Sequence, residues 1–191
     1  LAGRYDMIAA GLFVTPGRAR RVLFSRPTAH VGPALLMRAD DARDRATYAA
    51  VAADPPARLA VLRGAVEAER ARAAGVPAER LVTAPDAASG IAAVLIGRAD
   101  GLALSAPTLR ALVRGSDDGI VPPLRVRMTP TLAAPLPDRP ALAFRPDDVR
   151  LRAAVDAALA DWLGSPAHLA RVGVLGFTPE ELAPRPPEPA P

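Results

Sequence analysis

Short apolar runs alternate with longer alanine-rich stretches through the middle of the chain. The runs have the length of buried strands, and the stretches between them have the polar positions and terminal glycines of helices. We predict strands at residues 58–64, 80–85 and 100–105, and helices at residues 65–75, 87–98 and 106–115. Because strand and helix alternate with short connections, the pattern predicts βαβ units and a mainly parallel sheet covered by helices on both faces.

The residues before this region predict further elements. Residues 4–13 form a short apolar run typical of a strand, and Thr15 and Pro16 are the residue types that begin a helix. Residues 31–38 predict a second strand. A helix is then expected within residues 40–57, where a pair of prolines ends it.

The pattern changes towards the carboxyl end. Residues 121–140 are rich in proline and predict extended loops and a return crossing of the chain. A strand at residues 141–148 ends in two aspartates, either of which can cap a helix at residues 149–165. A shorter helix follows at residues 166–173, and the proline-rich tail, residues 185–191, is expected to be disordered.

Composition and charge exclude several functional classes. The formal net charge is only +4 and the arginines are interspersed with acidic residues, so no nucleic-acid-binding surface is expected. The absence of cysteine excludes disulfides, thiolate metal sites and cysteine nucleophiles. No apolar run approaches the roughly 20 residues that span a bilayer. Because the chain begins at Leu1, we expect that its natural amino terminus and signal peptide are missing.

Three predicted strands end beside groups that can contact a ligand, in "AAGLFVTPGR", "VLRGAV" and "LALSAP". Ligands of open α/β sheets bind beyond the carboxyl ends of strands. Arg18 lies in a first helical turn, where its guanidinium suits a carboxylate, and Phe13 can offer an aromatic face. Each also has an ordinary interpretation, Arg18 as a surface arginine and Phe13 as a core residue. The histidines, His30 and His168, are interpreted as structural, and no cofactor or metal motif is present.

The order of several motifs resembles one family, the extracytoplasmic solute-binding proteins of polar amino-acid ABC transporters (family 3). "GRYDMIAAGLFVTPGRARRVLFSRP" is similar to the family's Gly-x-Tyr-Asp, small-residue strand, Thr-Pro-x-Arg and Phe-Ser-x-Pro. "LAVLRG" resembles its lobe-two strand, and "APDAASGIAAVLIGRADGLALSAPTL" resembles its helix followed by Gly-Arg-x-Asp. "LAFRPDDVRLRAAVDAALADWLGSPAHLARV" resembles the late helices that return to lobe one.

The resemblance implies an α/β fold of two lobes, the type II periplasmic-binding-protein-like fold, with a mainly parallel sheet flanked by helices in each lobe. Residues 1–38 and 136–184 would form lobe one, incomplete at its amino end and with hinge strands at its borders, and residues 41–135 would form lobe two. The implied function is capture of a small zwitterion between the lobes and delivery to the permease subunits of an ABC importer. A periplasmic or extracytoplasmic, monomeric protein without cofactor or nucleic-acid partner is implied.

The resemblance also implies a ligand site. In lobe one, Arg18 is similar to the family arginine that pairs with the ligand carboxylate, and Gly11 and Phe13 occupy strand-end positions that touch the ligand. The lobe-two positions are Gly64, Ala65, Val66 and Ser105. The family commonly has hydroxyl side chains after the glycine and an aspartate for the α-ammonium at the last position. This sequence departs from both, so a free α-amino acid would lose polar partners.

Within the family, the sequence resembles ectoine and hydroxyectoine binders. The motifs are "AGLF" followed by Pro-x-Arg, "AGVPAERLVTAPDAASG" and "GFTPEEL". Ectoine has a carboxylate, which suits Arg18, and a delocalised ring cation, which aromatic faces such as Phe13 can hold.

Three alternatives remain. The protein can be a polar amino-acid binder of the same family, an enzyme resembling cyclohexadienyl dehydratase on the same fold, or the sensor domain of a receptor. An enzyme needs an acid or base in the cleft, and none of the seven site positions is Glu, Asp or His. The sequence therefore favours binding over catalysis.

Overall fold

The computed structural model describes residues 5–43, 45–114, 124–128 and 139–182. The chain divides into two compact units, the first formed by Leu1–Val31 with Pro137–Pro191 and the second by Gly32–Leu136. The proline-rich tail, and the stretch between residues 121 and 138 apart from residues 124–128, lie outside the described residues.

Strands and helices alternate through most of the described chain. The strands are β1 (Met7–Phe13), β2 (Leu23–Phe24), β3 (Pro33–Arg38), β4 (Leu59–Leu62), β5 (Leu81–Ala84), β6 (Gly101–Ser105), β7 (Leu124–Met128) and β8 (Pro140–Phe144). The helices are α1 (Pro16–Ala19), α2 (Tyr48–Ala53), α3 (Val66–Ala73), α4 (Ala87–Leu95), α5 (Ala106–Arg114), α6 (Val149–Trp162), α7 (Pro166–Gly173) and α8 (Pro179–Leu182). The sequence pattern predicted each of these elements except β2, β7 and α8, which it did not identify as separate elements.

The second unit is built on a five-stranded sheet in the order β5-β4-β6-β3-β7. The βαβ prediction is confirmed for β4, β5 and β6, which run parallel. The sheet as a whole is mixed, because β3 and β7 bring the chain into and out of the unit and pair antiparallel. β3 belongs to this unit, although residues 1–38 were expected in lobe one.

Helices cover both faces of this sheet, as the pattern predicts. Ala34 and Leu36 of β3 belong to an apolar cluster that includes residues of α4 and α5. Leu35 and Met37, the alternate positions of the same strand, belong to a second cluster with residues of α2 and α3. Because successive strand residues point to opposite faces, a continuous apolar strand is the pattern that a sheet buried on both sides requires.

The first unit contains a three-stranded sheet in the order β1-β8-β2. Both outer strands pair antiparallel with β8, so the prediction of a mainly parallel sheet in this lobe is wrong for the described residues. The apolar residues after α1 form β2, since that helix ends after one turn at Ala19. The chain therefore crosses this sheet once more than the sequence pattern indicates.

A buried ion-pair network explains why α2 is much shorter than the predicted helix of residues 40–57. The Arg45 side chain is 2% exposed and pairs with Asp41, with Asp54 at 3.3 Å and with Asp100 at 3.0 Å. Burial alone would raise the pKa of Asp41, but hydrogen bonds from Arg43 and Arg45 outweigh it and lower this pKa to about 2. The segment before α2 thus satisfies its charges without helical geometry.

Two helix ends test the predicted caps. Gly75 follows α3 with φ +95°. The Gly75 N–H donates to the Arg72 carbonyl and the Val76 N–H donates to the Ala71 carbonyl, which are the two hydrogen bonds of a Schellman motif. Asp148 precedes α6, but its side chain makes no capping bond and accepts instead from Arg145 Nε at 2.7 Å. The first cap is confirmed, and the second aspartate has a different partner.

Candidate functional site

The end of β1 and the first turn of α1 position Arg18. The Thr15 hydroxyl accepts the Arg18 backbone N–H at 3.3 Å, and Pro16 begins the helix, so the predicted cap is confirmed. The Arg18 Nη1 donates to the Phe13 carbonyl at 3.0 Å. This bond folds the half-buried arginine back against the strand end. One arginine carries five N–H groups, so a single guanidinium can make several hydrogen bonds at once.

Gly11 lies in a bulge of β1. Ile8 pairs with Ala143 and Leu12 with Ala141, so the three β1 residues between them stand opposite Leu142 alone. Gly11 has φ +63°, a backbone conformation that favours glycine, and it is exposed. A bulge removes backbone groups from the sheet ladder and redirects the strand. The bulge therefore takes the residues before the strand end out of regular pairing with β8.

The side chain of Phe13 is half-buried. It packs against a small apolar cluster of Ala29, Val31 and Leu182. Part of the ring therefore belongs to the core of the first unit, which agrees with the ordinary interpretation of this residue, and the remainder is exposed.

In the second unit, four predicted site residues follow adjacent strands. Gly64 is exposed with φ +73°, Ala65 precedes α3 without a side-chain cap, and Val66 is the buried first residue of that helix. Ser105 ends β6 and is 9% exposed. Because β4 and β6 are parallel neighbours, the structure brings both groups to the same edge of the sheet.

Ser105 has a partner that the sequence analysis missed. Its Oγ lies 2.8 Å from the Oγ1 of Thr108, and either atom can donate. The i, i+3 spacing of two hydroxyl residues at a helix start is the signal that could have identified this pair. The predicted site residues of this unit therefore include one serine hydroxyl, which is paired with Thr108, and otherwise small or apolar side chains.

Arg18 is the one titratable residue among the seven predicted positions. In the described parts of the chain, no three His, Asp or Glu side chains are grouped closely enough to hold a metal ion. The helices within those parts are also too short or too polar to cross a membrane. The first-unit positions can provide hydrogen bonds, one fixed positive charge and apolar contacts, and the second-unit positions can provide hydrogen bonds and apolar contacts.

Comparison with known proteins adds sequence relationships to this geometry. A model of the family described as bacterial extracellular solute-binding proteins, family 3, matches residues 1–165. A protein of Sinorhizobium fredii (strain NBRC 101917 / NGR234) named "probable amino-acid ABC transporter periplasmic-binding protein y4tE" is 35% identical over 116 residues. These residues are 61% of this chain and 38% of that relative, so the match spans well under half of the relative's length.

Solved structures give the same relationship in three dimensions. The crystal structure of EhuB in complex with hydroxyectoine superposes with a TM-score of 0.80 and 32% identity, covering 94% of this chain and 68% of EhuB. Holo ArgBP from T. maritima superposes with a TM-score of 0.71 and 22% identity, covering 89% and 69% respectively, and shows the fold alone. The chain thus belongs to the bacterial extracellular solute-binding proteins of family 3 and has their type II periplasmic-binding-protein fold.

Proposed function

We propose that the protein is the extracytoplasmic solute-binding component of an ABC importer and captures a small zwitterion of the ectoine and hydroxyectoine class. The observation that carries this proposal is Arg18, which lies in the first turn of α1, shortly after β1 ends, and whose Nη1 donates to the Phe13 carbonyl 3.0 Å away. A preoriented guanidinium loses little side-chain freedom when it forms a bidentate pair with a carboxylate. The ligand carboxylate is therefore assigned to Arg18.

The cationic group of the ligand is assigned from the absence of acidic side chains among the predicted site residues. A primary ammonium taken out of water needs a carboxylate or several hydrogen-bond acceptors. The second-unit positions Gly64, Ala65, Val66 and Ser105 offer no charge, and the Ser105 hydroxyl is already paired. A delocalised ring cation needs no fixed counter-ion and is held by aromatic faces such as Phe13. The 32% identity with EhuB supports the same ligand class.

The proposed working cycle uses both units. Each unit supplies part of the ligand contacts, so a closed state gains interactions that an open state lacks, and the ligand shifts the population towards closure. The closed protein then delivers the ligand to the permease subunits. We assign the protein to the periplasm or its extracytoplasmic equivalent as a monomer.

Two alternatives make different demands on the same residues. A polar amino-acid binder needs an acceptor for the α-ammonium, which the seven positions do not supply as a carboxylate. An enzyme resembling cyclohexadienyl dehydratase needs a general acid or base, and no Glu, Asp or His occupies those positions. Binding of an ectoine-type ligand fits the residue types better than either alternative.

The test is calorimetric titration of the full-length protein with ectoine, hydroxyectoine and L-arginine. Arg18→Ala is expected to weaken ectoine binding by at least about 30-fold, because truncating one partner of a desolvated charge pair costs about 2 kcal/mol or more. Arg20→Ala is the matched control, since Arg20 is an exposed arginine directly after the same helix. It is expected to leave the affinity within about twofold.

The outcomes separate the assignments. Equal affinity of the Arg18→Ala variant and the wild type for ectoine would show that Arg18 is not the carboxylate partner. Tight binding of L-arginine with no binding of either ectoine would favour the amino-acid alternative. Turnover of a cyclohexadienyl substrate would favour the enzyme.

A further inference from the structure

The corner between α6 and α7 encloses a buried histidine. Trp162 ends α6, and Gly164 turns the chain with φ +80°. The Ser165 hydroxyl accepts the His168 backbone N–H at 3.2 Å, and Pro166 is the first residue of α7. These residues fix the backbone on both sides of the corner and place the imidazole beneath it. His168 is 1% exposed.

One hydrogen bond defines the protonation state of this histidine. The Gly164 backbone N–H donates to His168 Nδ1 at 3.0 Å. A backbone N–H can only donate, so Nδ1 carries no proton and the ring is neutral with its hydrogen on Nε2. The ring also contacts the Trp162 indole, with centroids 4.4 Å apart and planes inclined by 58°. The imidazole therefore joins the end of α6, the corner and the start of α7.

We propose that His168 is a pH-sensitive latch that holds the α6–α7 corner closed when neutral and releases it when protonated. Protonation places a hydrogen on Nδ1, directly opposite the Gly164 N–H. An acceptor becomes a donor, the bond is lost, and two donors face each other across the corner. The protonated Nδ1 of the buried imidazolium then faces a donor where it needs a hydrogen-bond acceptor.

The surroundings favour the neutral ring. Burial lowers the pKa of His168 below its ordinary value and is the cause found for this shift. The charged side chains on the neighbouring elements are Arg150, Arg152, Asp156 and Asp161 on α6, Arg171 on α7, and Glu180 and Glu181 on α8. None of them contributes to the shift. The indole face attracts a cation, which opposes the effects of burial and of the lost hydrogen bond.

The sign of the pH dependence follows from the lowered pKa. Above about pH 6.5 the histidine is neutral in both the closed and the opened corner, so closure does not depend on pH. As the pH falls below this value, the opened corner binds a proton that the closed corner does not. The equilibrium therefore shifts towards opening by up to about tenfold per pH unit until the closed-state pKa is reached.

The chain contains a built-in reporter, because Trp162 is its only tryptophan. A neighbouring imidazolium quenches indole emission, so titration of the 191-residue chain from about pH 7.5 to about pH 5 follows the latch. His168→Asn keeps an acceptor at the Nδ1 position but cannot titrate. The matched control is His30→Asn, which removes the other of the two histidines.

We expect the emission of the wild type and of His30→Asn to fall with a midpoint below about pH 6.5, and that of His168→Asn to stay constant. Exchange of the Gly164 amide with solvent is expected to quicken over the same range in the wild type. Emission that still titrates in His168→Asn would overturn the proposal. If that variant does not fold, ¹⁵N spectra of the wild-type imidazole decide, and a midpoint at or above the unfolded value would overturn it equally.

Discussion

Gly90 lies where α4 closely approaches the Leu102 side chain of β6. A Cβ atom at this position would stand 2.7 Å from Leu102 Cδ1 and 3.1 Å from its Cδ2, and Leu102 is fully buried. Leu102 lies at the centre of the second unit's sheet, so its terminal methyl groups have little space into which to move. Packing therefore favours glycine at this position.

We expect Gly90→Ala to destabilise the protein by about 1 kcal/mol, because overpacking costs about 1–3 kcal/mol while alanine regains about 1 kcal/mol of helix propensity. Urea unfolding followed by circular dichroism measures the change. Gly173→Ala is the control, since no atom beyond its chain neighbours and its own helix backbone lies within 4 Å of the added Cβ. An equal gain in stability from both substitutions would contradict the close approach.

Local residue chemistry was predictable, and contacts between side chains were not. The Thr15 cap and the Gly75 helix end depend on residues a few positions apart, so their residue types identify them. The bond from Arg18 to the Phe13 carbonyl and the pairing of Ser105 with Thr108 depend on where a turn directs each side chain. The candidate site residues were therefore named from the sequence, but their present partners required the structure.

Arg80 directly precedes β5, and its side chain contacts the carboxyl end of α2. Its guanidinium donates to a cluster of backbone carbonyls at Val51 (3.2 Å), Ala52 (2.9 Å), Asp54 (2.6 Å), Pro55 (3.2 Å) and Ala57 (3.3 Å). The Val51 and Asp54 carbonyls also accept backbone N–H groups, from Asp54 at 3.4 Å and from Ala57 at 2.9 Å. Arg80 adds donors at a helix end, where the last carbonyls lack intrahelical partners. One side chain from outside the helix thus completes its carboxyl end.

We expect Arg80→Met to destabilise the second unit by about 2 kcal/mol, since hydrogen bonds from a charged donor contribute about 1.5–3 kcal/mol and these bonds share two nitrogens. Thermal unfolding measures the loss. Arg72→Met provides the control, because Arg72 is exposed on α3, and its effect should stay within about 0.5 kcal/mol. Equal melting temperatures for the two variants would show that the carbonyl cluster is satisfied without Arg80.

At the scale of elements, periodicity identified strands and helices better than it identified strand direction. The parallel strands β4, β5 and β6 follow from their alternation with helices, and the structure confirms them. The pairing of β1 with β8 joins residues more than a hundred positions apart, so no local pattern could indicate that it is antiparallel. The two residues of β2 are too few to produce a period.

The two units differ in how fully their sheets are covered. The five-stranded sheet has an apolar cluster on each face. In the first unit, most of β1 is exposed, including Met7 at 43% and Ile8 at 36%, and α6 has no buried residue. Stability against local opening depends on buried apolar contacts, so the two units should not open with the same free energy.

Amide hydrogen exchange of the whole chain tests this difference directly. We expect the amides of β4 and β6 to exchange at least about 100-fold more slowly than those of β1 and α6, because opening the covered sheet requires global unfolding of its unit. The comparison of β4 with β8 is the internal control, since β8 is paired on both sides but belongs to the first unit. If its amides exchange as slowly as those of β4, exposure of β1 does not weaken the first unit as a whole. Protection that is uniform across both units would mean that they unfold as one body, and the two-unit division would then describe packing but not stability.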